Sequence, residues 1–116
     1  MVKALHHHGI KVNLDVVYNH VFDHEFHPFD DVVPNYYFRR GANGMLSNGS
    51  FCGDDLASER KMVAKLIVDA CIYWVKEFGI DGYRFDLMGI IDKHTMNRIY
   101  RECVAIKPDF MIYGEG

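Results

Sequence analysis

The nine residues Asp81–Gly89 constrain the fold of this chain most, because apolar and charged residues alternate there between two helix-like stretches. Side chains two positions apart on a β-strand point to the same face. A strand over these residues therefore places Arg84 beside Asp86 and sends Tyr83 and Phe85 to the opposite face. A neighbouring guanidinium favours the charged form of a carboxylate. The pair indicates either an oriented, ionised acid for catalysis or a structural ion pair.

The stretches around this strand have the periodicity of two amphipathic helices. Residues 58–78 are predicted to form the first, with Ser58 as the N-cap and Gly79 as its terminator. Its apolar stripe repeats at helical spacing and consists of Val63, Leu66, Ile67, Ala70, Cys71, Trp74 and Phe78. Asp92 is predicted to cap the second helix, over residues 93–106.

Two further strands are predicted, near residues 10–17 and 110–114, and a helix over residues 2–8 is predicted to end at Gly9. The order of elements along the chain alternates between helices and strands. This order favours an α/β fold with a parallel sheet, since parallel strands need helical crossovers.

Polar side chains follow each predicted strand: Asp15 and His20 the first, Asp86 the second and Glu115 the third. The carboxyl ends of strands carry the chemistry in α/β barrels and in open α/β sheets. Three strands that bring carboxylates to one edge therefore predict a catalytic site. The alternatives are that Asp15 only braces Arg84 and that His20 caps a turn.

Residues 21–57 are predicted to form a long loop that is rich in aromatic residues. These residues are Phe22, Phe26, Phe29, Tyr36, Tyr37, Phe38 and Phe51. Long loops in compact domains are usually functional or disordered. The rings are therefore predicted either to stack on sugar faces or to pack beneath the loop.

The composition argues against several classes of function. The net charge of -3 and the lack of a basic patch argue against nucleic-acid binding, and no apolar run is long enough to span a membrane. Cys52, Cys71 and Cys103 lack metal-ligand spacing and are predicted to be free thiols, which favours the cytoplasm, with secretion of a longer enzyme as the alternative. His6–His8 are interpreted as a solvated helix end rather than a metal site.

Three motifs give this chain a family resemblance. Asp15–His20 resembles the first signature of the α-amylase family of glycoside hydrolases, Gly82–Asp86 the second and Gly114–Glu115 the third. Within that family, Arg84–Gly89 and Tyr113–Gly116 are similar to the nucleophile and acid/base signatures of type I pullulanases. The fourth family signature, a His-Asp pair on the seventh barrel strand, is absent.

The resemblance implies that residues 1–116 are part of a catalytic (β/α)8 TIM barrel, from about strand 3 to strand 5, with the loop insertion at about 21–57. It implies retaining hydrolysis of α-1,6-glucosidic branch linkages in pullulan, glycogen or starch limit dextrins. By resemblance, Asp86 is the nucleophile and Glu115 the general acid/base. The residues that the resemblance assigns to substrate binding are Arg84, His20, Asp15 and Tyr18.

The resemblance requires no cofactor and leaves calcium open, because Asn19 is a calcium ligand in some α-amylases. Three alternatives remain: an α-1,4-acting amylase or isoamylase-like enzyme, a non-catalytic carbohydrate-binding relative, and an unrelated doubly wound domain. Non-catalytic relatives typically lose the nucleophile or the acid, whereas Asp86 and Glu115 are both present. The rest of the barrel is absent from these 116 residues, so the segment alone is predicted to be inactive.

Overall fold

The computed structural model describes all 116 residues, and the chain alternates between helices and strands. The elements are α1 (Val2–His7), β1 (Asn13–Val16), β2 (His20–Val21), α2 (Phe29–Val32), β3 (Asp54–Asp55), α3 (Lys61–Phe78), β4 (Gly82–Phe85), α4 (Lys93–Ile106) and β5 (Met111–Gly114). Two short 3-10 turns, His24–Phe26 and Met88–Ile90, follow β2 and β4.

The central sheet has three parallel strands in the order β1-β4-β5. Its register places Arg84 opposite Asp15 on one side and Tyr113 on the other. The prediction of three parallel strands is confirmed. β1 is shorter than predicted, since ladder pairing begins only at Asn13. The fold is therefore of the α/β class, and β4 is the central strand, paired with β1 on one side and with β5 on the other.

One face of the sheet carries the hydrophobic core, against α3 and α4. Tyr83 and Phe85 are completely buried there, and the Tyr83 hydroxyl donates a hydrogen bond to the Cys71 carbonyl at 2.7 Å. The buried helix residues in this core are Val63, Ile67, Val68, Cys71, Val75, Ile99 and Cys103. The predicted stripe is wrong at Leu66 and Phe78, which are 41% and 46% exposed.

The helix ends agree with prediction in three cases out of four. Gly79, which follows α3, and Gly9, which follows α1, both have left-handed backbone angles, and Asp92 caps α4 by accepting from the Thr95 N–H at 3.1 Å. The prediction that Ser58 caps α3 is wrong, because α3 begins at Lys61. Ser58 is buried instead, and its hydroxyl accepts from the Asp92 N–H at 2.8 Å.

The long loop contains β2 and β3, which pair antiparallel, and a buried carboxylate, Asp55. Asp55 accepts from the Ser47 hydroxyl at 2.6 Å and from the Gly49 N–H at 2.9 Å. These hydrogen bonds stabilise the turn formed by residues 47–55. Both predicted uses of the loop aromatics remain: Phe29, Tyr36, Tyr37 and Phe38 pack against the core, whereas Phe22, Phe26 and Phe51 are exposed.

The N-terminal segment is attached to the end of the sheet opposite the predicted site. His6, His7 and His8 are all exposed, as the interpretation of a solvated helix end requires, and His6 in addition lies 2.7 Å from Asp81. The three cysteines are unpaired thiols, as predicted, and burial raises the pKa of Cys103 to about 11. None of the helices combines the length and the apolar character needed to cross a bilayer.

Candidate active site

The Arg84 guanidinium contacts all three predicted acidic residues at the carboxyl edge of the sheet. Arg84 Nη1 lies 3.0 Å from Asp15 and 3.3 Å from Asp86, and Arg84 Nη2 lies 2.5 Å from Glu115. The three carboxylates come from the ends of three adjacent strands. The structure therefore brings Asp15, Arg84, Asp86 and Glu115 together, as the sequence predicted.

The strand geometry explains this convergence. Asp15 and Arg84 are ladder partners on β1 and β4, and Asp86 follows β4 on the same face as Arg84. Glu115 follows β5, and its N–H continues the ladder to the Phe85 carbonyl at 3.0 Å. Parallel strands lie about 4.8 Å apart, so equivalent positions on neighbouring strands bring their side chains within contact.

The electrostatics of the cluster keep Arg84 cationic. Hydrogen bonding to Asp15, helped by the charges of Asp15 and Glu115, raises the pKa of Arg84 above its already high ordinary value. The guanidinium is only 28% exposed, and it faces three carboxylates. One fixed cation can orient three carboxylates but cannot neutralise their combined charge. Three carboxyl groups thus share one guanidinium at this edge.

Asn19, considered from the sequence only as a possible calcium ligand, also belongs to the site. It is 1% exposed, and its Nδ2 donates to the Asp86 carbonyl oxygen at 2.7 Å and lies 3.5 Å from Asp86 Oδ2. Its Oδ1 forms a hydrogen bond with His20 Nδ1. Asn19 thus joins His20 to Asp86. Its position inside the Asp15–His20 motif indicates that Asn19 lies near the site, but the spacing of residues along the chain does not predict its hydrogen bond to Asp86.

Two predicted site residues do not contact Arg84: His20, which reaches Asp86 only through Asn19, and Tyr18. The Tyr18 ring packs against Phe85 on the core side of the sheet, with ring centroids 6.3 Å apart. Burial raises the pKa of Tyr18 to about 12. This placement gives Tyr18 a packing role, so it is not included in the cluster.

A second group of potential metal ligands lies beyond β2. Ligand atoms of Asp23, His24 and Asp54 all lie within 4.8 Å of one another. Ordinary hydrogen bonds account for this arrangement: Asp54 Oδ2 accepts from the His24 N–H at 2.9 Å, and Asp23 Oδ1 accepts from the Glu25 N–H at 2.9 Å. The group closes the turn after β2.

The Arg84 cluster has the components of a carboxylate-based reaction. Asp86 is held through its backbone by Asn19 and through its side chain by Arg84, whereas Glu115 is half-exposed at its side chain. A fixed carboxylate beside an accessible one suits one nucleophile or base and one proton donor. Retaining glycosidases use such a pair across the scissile bond.

Comparisons with known proteins find pullulanases over the whole chain and an isoamylase, the chloroplastic isoamylase 3 of Oryza sativa subsp. japonica, over 78% of it. No family model matches the chain. A curated pullulanase from Bacillus subtilis (strain 168) is 47% identical over 116 residues, which are all of this chain and 16% of that protein. The chloroplastic pullulanase 1 of Arabidopsis thaliana is 46% identical over 128 residues, covering all of this chain and 13% of that protein.

Solved structures give the same result. A pullulanase from Anoxybacillus sp. LM18-11, crystallised with maltotriose, matches 99% of this chain and 16% of its own with a TM-score of 0.96 and 55% identity. The chain thus spans less than a fifth of the length of the relatives it matches. The chain therefore resembles that segment in backbone structure as well as in sequence.

Proposed function

We propose that this chain, which corresponds over its whole length to a segment of a pullulanase, is the catalytic core segment of an α-glucan debranching glycosidase. In this proposal, residues 1–116 form barrel strands 3 to 5 with their helices, and residues 21–57 form the loop after strand 3. The reaction is retaining hydrolysis of α-1,6-glucosidic branch linkages in pullulan, glycogen or starch limit dextrins. Relatives whose structures hold maltotriose support an α-glucan as the partner.

The observation that carries the proposal is the convergence of Asp86 and Glu115 on Arg84 at the ends of adjacent strands. A retaining mechanism needs two carboxyls roughly 5–5.5 Å apart. Neighbouring parallel strands, about 4.8 Å apart, supply this scale. Asp86 and Glu115 are therefore the proposed catalytic pair.

In the first step, a carboxylate oxygen of Asp86 attacks the anomeric carbon of the glucosyl unit. The C–O bond to the leaving sugar breaks, and Glu115 donates its proton to the departing oxygen. A protonated Glu115 cannot remain ion-paired with Arg84, so we expect this contact to open when substrate binds. In the second step, Glu115 takes a proton from water, and the resulting hydroxide attacks the same carbon and releases Asp86.

The remaining residues orient this pair. Arg84 aligns Asp86, Asp15 braces Arg84, and His20 is placed by Asn19 to hydrogen-bond the sugar on the non-reducing side of the scissile bond. The chemistry uses two carboxyls and water, so no cofactor takes part. We assign Asn19 to holding Asp86 rather than to calcium. The proposed compartment is the cytoplasm, supported by three unpaired cysteines.

The test requires a complete barrel. In a chimera, this chain replaces the corresponding segment of the Bacillus subtilis pullulanase. Asp86→Asn is expected to abolish turnover of both pullulan and an α-maltosyl fluoride. Glu115→Gln is expected to abolish turnover of pullulan but to retain much of the fluoride reaction, because fluoride leaves without a proton.

The measurement is steady-state kcat/KM on both substrates. Equal rescue of the two variants by the fluoride would reverse or remove the assigned roles. Hydrolysis of α-1,4 but not α-1,6 linkages by the parent chimera would contradict the proposed linkage.

A further inference from the structure

The backbone of Glu115 is held at two points by the segment that carries Asp86. The Glu115 N–H donates to the Phe85 carbonyl at 3.0 Å, and the Glu115 carbonyl accepts from the Met88 N–H at 2.8 Å. Asp86 lies between these two contact residues in the sequence. The proposed nucleophile and acid/base are thus joined by a short hydrogen-bonded clamp as well as by Arg84.

The clamp depends on a reversal of the chain at Leu87. Leu87 has a φ angle of +39°, in the left-handed region that non-glycine residues rarely adopt, and the turn Met88–Ile90 follows at once. This reversal carries Met88 back over the end of β5. Strained backbone of this kind is retained where the surrounding structure requires it.

The Met88 side chain lies directly on Gly114, the residue before Glu115. A Cβ atom on Gly114 would stand 2.7 Å from Met88 Sδ and 3.0 Å from Met88 Cγ, and closer still to Met88 Cβ. No side chain fits in that space without displacing one of the two residues. By contrast, a Cβ on Gly89 would meet nothing within 4 Å.

We propose that Met88 is a positioning residue, which sets the place of Glu115 relative to Asp86 by packing on Gly114 and by bonding the Glu115 carbonyl. The proposal rests on the proposed function above. A displacement of about 1 Å from the reactive geometry can cost about 100-fold in rate. Position 114 is a glycine because Met88 occupies the space that a side chain there would need. Position 88 is a methionine because its side chain holds the backbone next to Glu115.

The test uses the chimera described above and compares kcat/KM on pullulan with kcat/KM on the α-maltosyl fluoride. Cleavage of pullulan needs a correctly placed acid, whereas release of fluoride does not. Gly114→Ala is expected to lower pullulan turnover about 100-fold and fluoride turnover much less. Adding Met88→Gly removes all three Met88 atoms that a Cβ on Gly114 would meet, so the double variant is expected to recover pullulan turnover by roughly tenfold. The matched control, Gly89→Ala, is expected to behave like the parent.

The outcomes separate this proposal from the one beneath it. A parent chimera inactive on both substrates overturns the proposed function and this inference with it. An active parent with an unimpaired Gly114→Ala variant, equal losses on both substrates, or no recovery in the double variant overturns this inference alone. If circular dichroism shows that Gly114→Ala is unfolded, Met88→Ala decides: a lower pullulan-to-fluoride ratio supports the inference, and an unchanged ratio overturns it.

Discussion

At the scale of single residues, the chain places its charges in two different ways. Arg84 and its carboxylates lie at an accessible edge, where Asp15 is 67% exposed at its side chain. Asp81, at the other end of β4, is only 8% exposed at its side chain. It accepts from the Lys107 ammonium at 2.5 Å and the Val12 N–H at 2.7 Å, and His6 lies 2.7 Å away. The first group is available for chemistry, and the second joins α1, β4 and α4.

Asp81 is expected to make folding stability depend on acid pH. Burial on its own would raise the pKa of Asp81, but hydrogen bonds from Lys107, Val12 and His6 outweigh it and lower the pKa from 3.8 to about 2. A depressed native pKa stabilises the fold above the unfolded value, by about 2–3 kcal/mol here. That stability is lost as the pH falls from about 4 through about 2. Asp81→Asn should remove most of it at pH 7.

Urea unfolding of the 116-residue chain between pH 2 and pH 7, followed by circular dichroism, measures this effect. The control is Asp109→Asn, which removes an exposed ion pair with Lys11 and is expected to change little. If Asp81→Asn kept the same acid dependence as the parent, the buried pair would not be its source.

At the scale of elements, the segment before α3 is attached to the start of α4. The Ser58 hydroxyl accepts from the Asp92 N–H, and the Ser58 carbonyl accepts from the Thr95 hydroxyl at 2.8 Å. Arg39, from the long loop, reaches the same place through its contact with the Ile90 carbonyl at 3.1 Å. The long loop, the segment before α3 and the start of α4 thus meet at one polar junction.

Ser58→Ala is expected to destabilise the chain by about 1–3 kcal/mol, because it leaves the Asp92 N–H without its acceptor. Urea unfolding at pH 7 provides the measurement. Asn97→Ala, on the exposed side of α4, is the control and is expected to stay within about 0.5 kcal/mol of the parent. A Ser58→Ala variant as stable as the parent would show that solvent replaces this hydrogen bond at no cost.

At the scale of the whole molecule, the sheet is covered on one face only. The face that carries Asn13, Asp15 and Arg84 is open, and the outer edges of β1 and β5 have no strand partner. An apolar groove between α1 and α3, with Leu14 and Trp74 in its wall, is also uncovered. Open strand edges favour pairing with other chains. In the proposed barrel, further strands and helices would cover these surfaces.

The 116-residue chain alone is therefore expected not to hydrolyse pullulan at a significant rate. Water at the open face screens the charge interactions that a closed site would apply to the oxocarbenium-like transition state. The assay compares reducing-sugar release by the purified chain and by the chimera, with Asp86→Ala of each as the contamination control. Turnover by the short chain approaching that of the chimera would overturn this expectation.

The amino-acid pattern was enough to predict the three parallel strands, the helices between them and the acidic residues, but not the short elements β2, α2 and β3 inside the long loop. Alternation around Arg84 and the Asp92 and Gly79 signals sufficed to predict β4, α4 and the end of α3, because these depend on local periodicity and capping. The carboxyl-edge argument likewise predicted the convergence of Asp15, Asp86 and Glu115 on Arg84. In a parallel sheet the carboxyl ends of all strands lie at the same edge, so the positions of these residues along the chain are enough to place them together.

The neighbours that each residue contacts could be found only from the three-dimensional structure. Ser58 is an acceptor for α4 rather than a cap for α3, Tyr18 is partly buried against the core, and Asn19 holds Asp86. The contact of Met88 with Gly114 joins residues 26 positions apart, and no local pattern encodes it. Such contacts depend on how strands and turns are placed in space. Periodicity reports only the face on which a side chain lies.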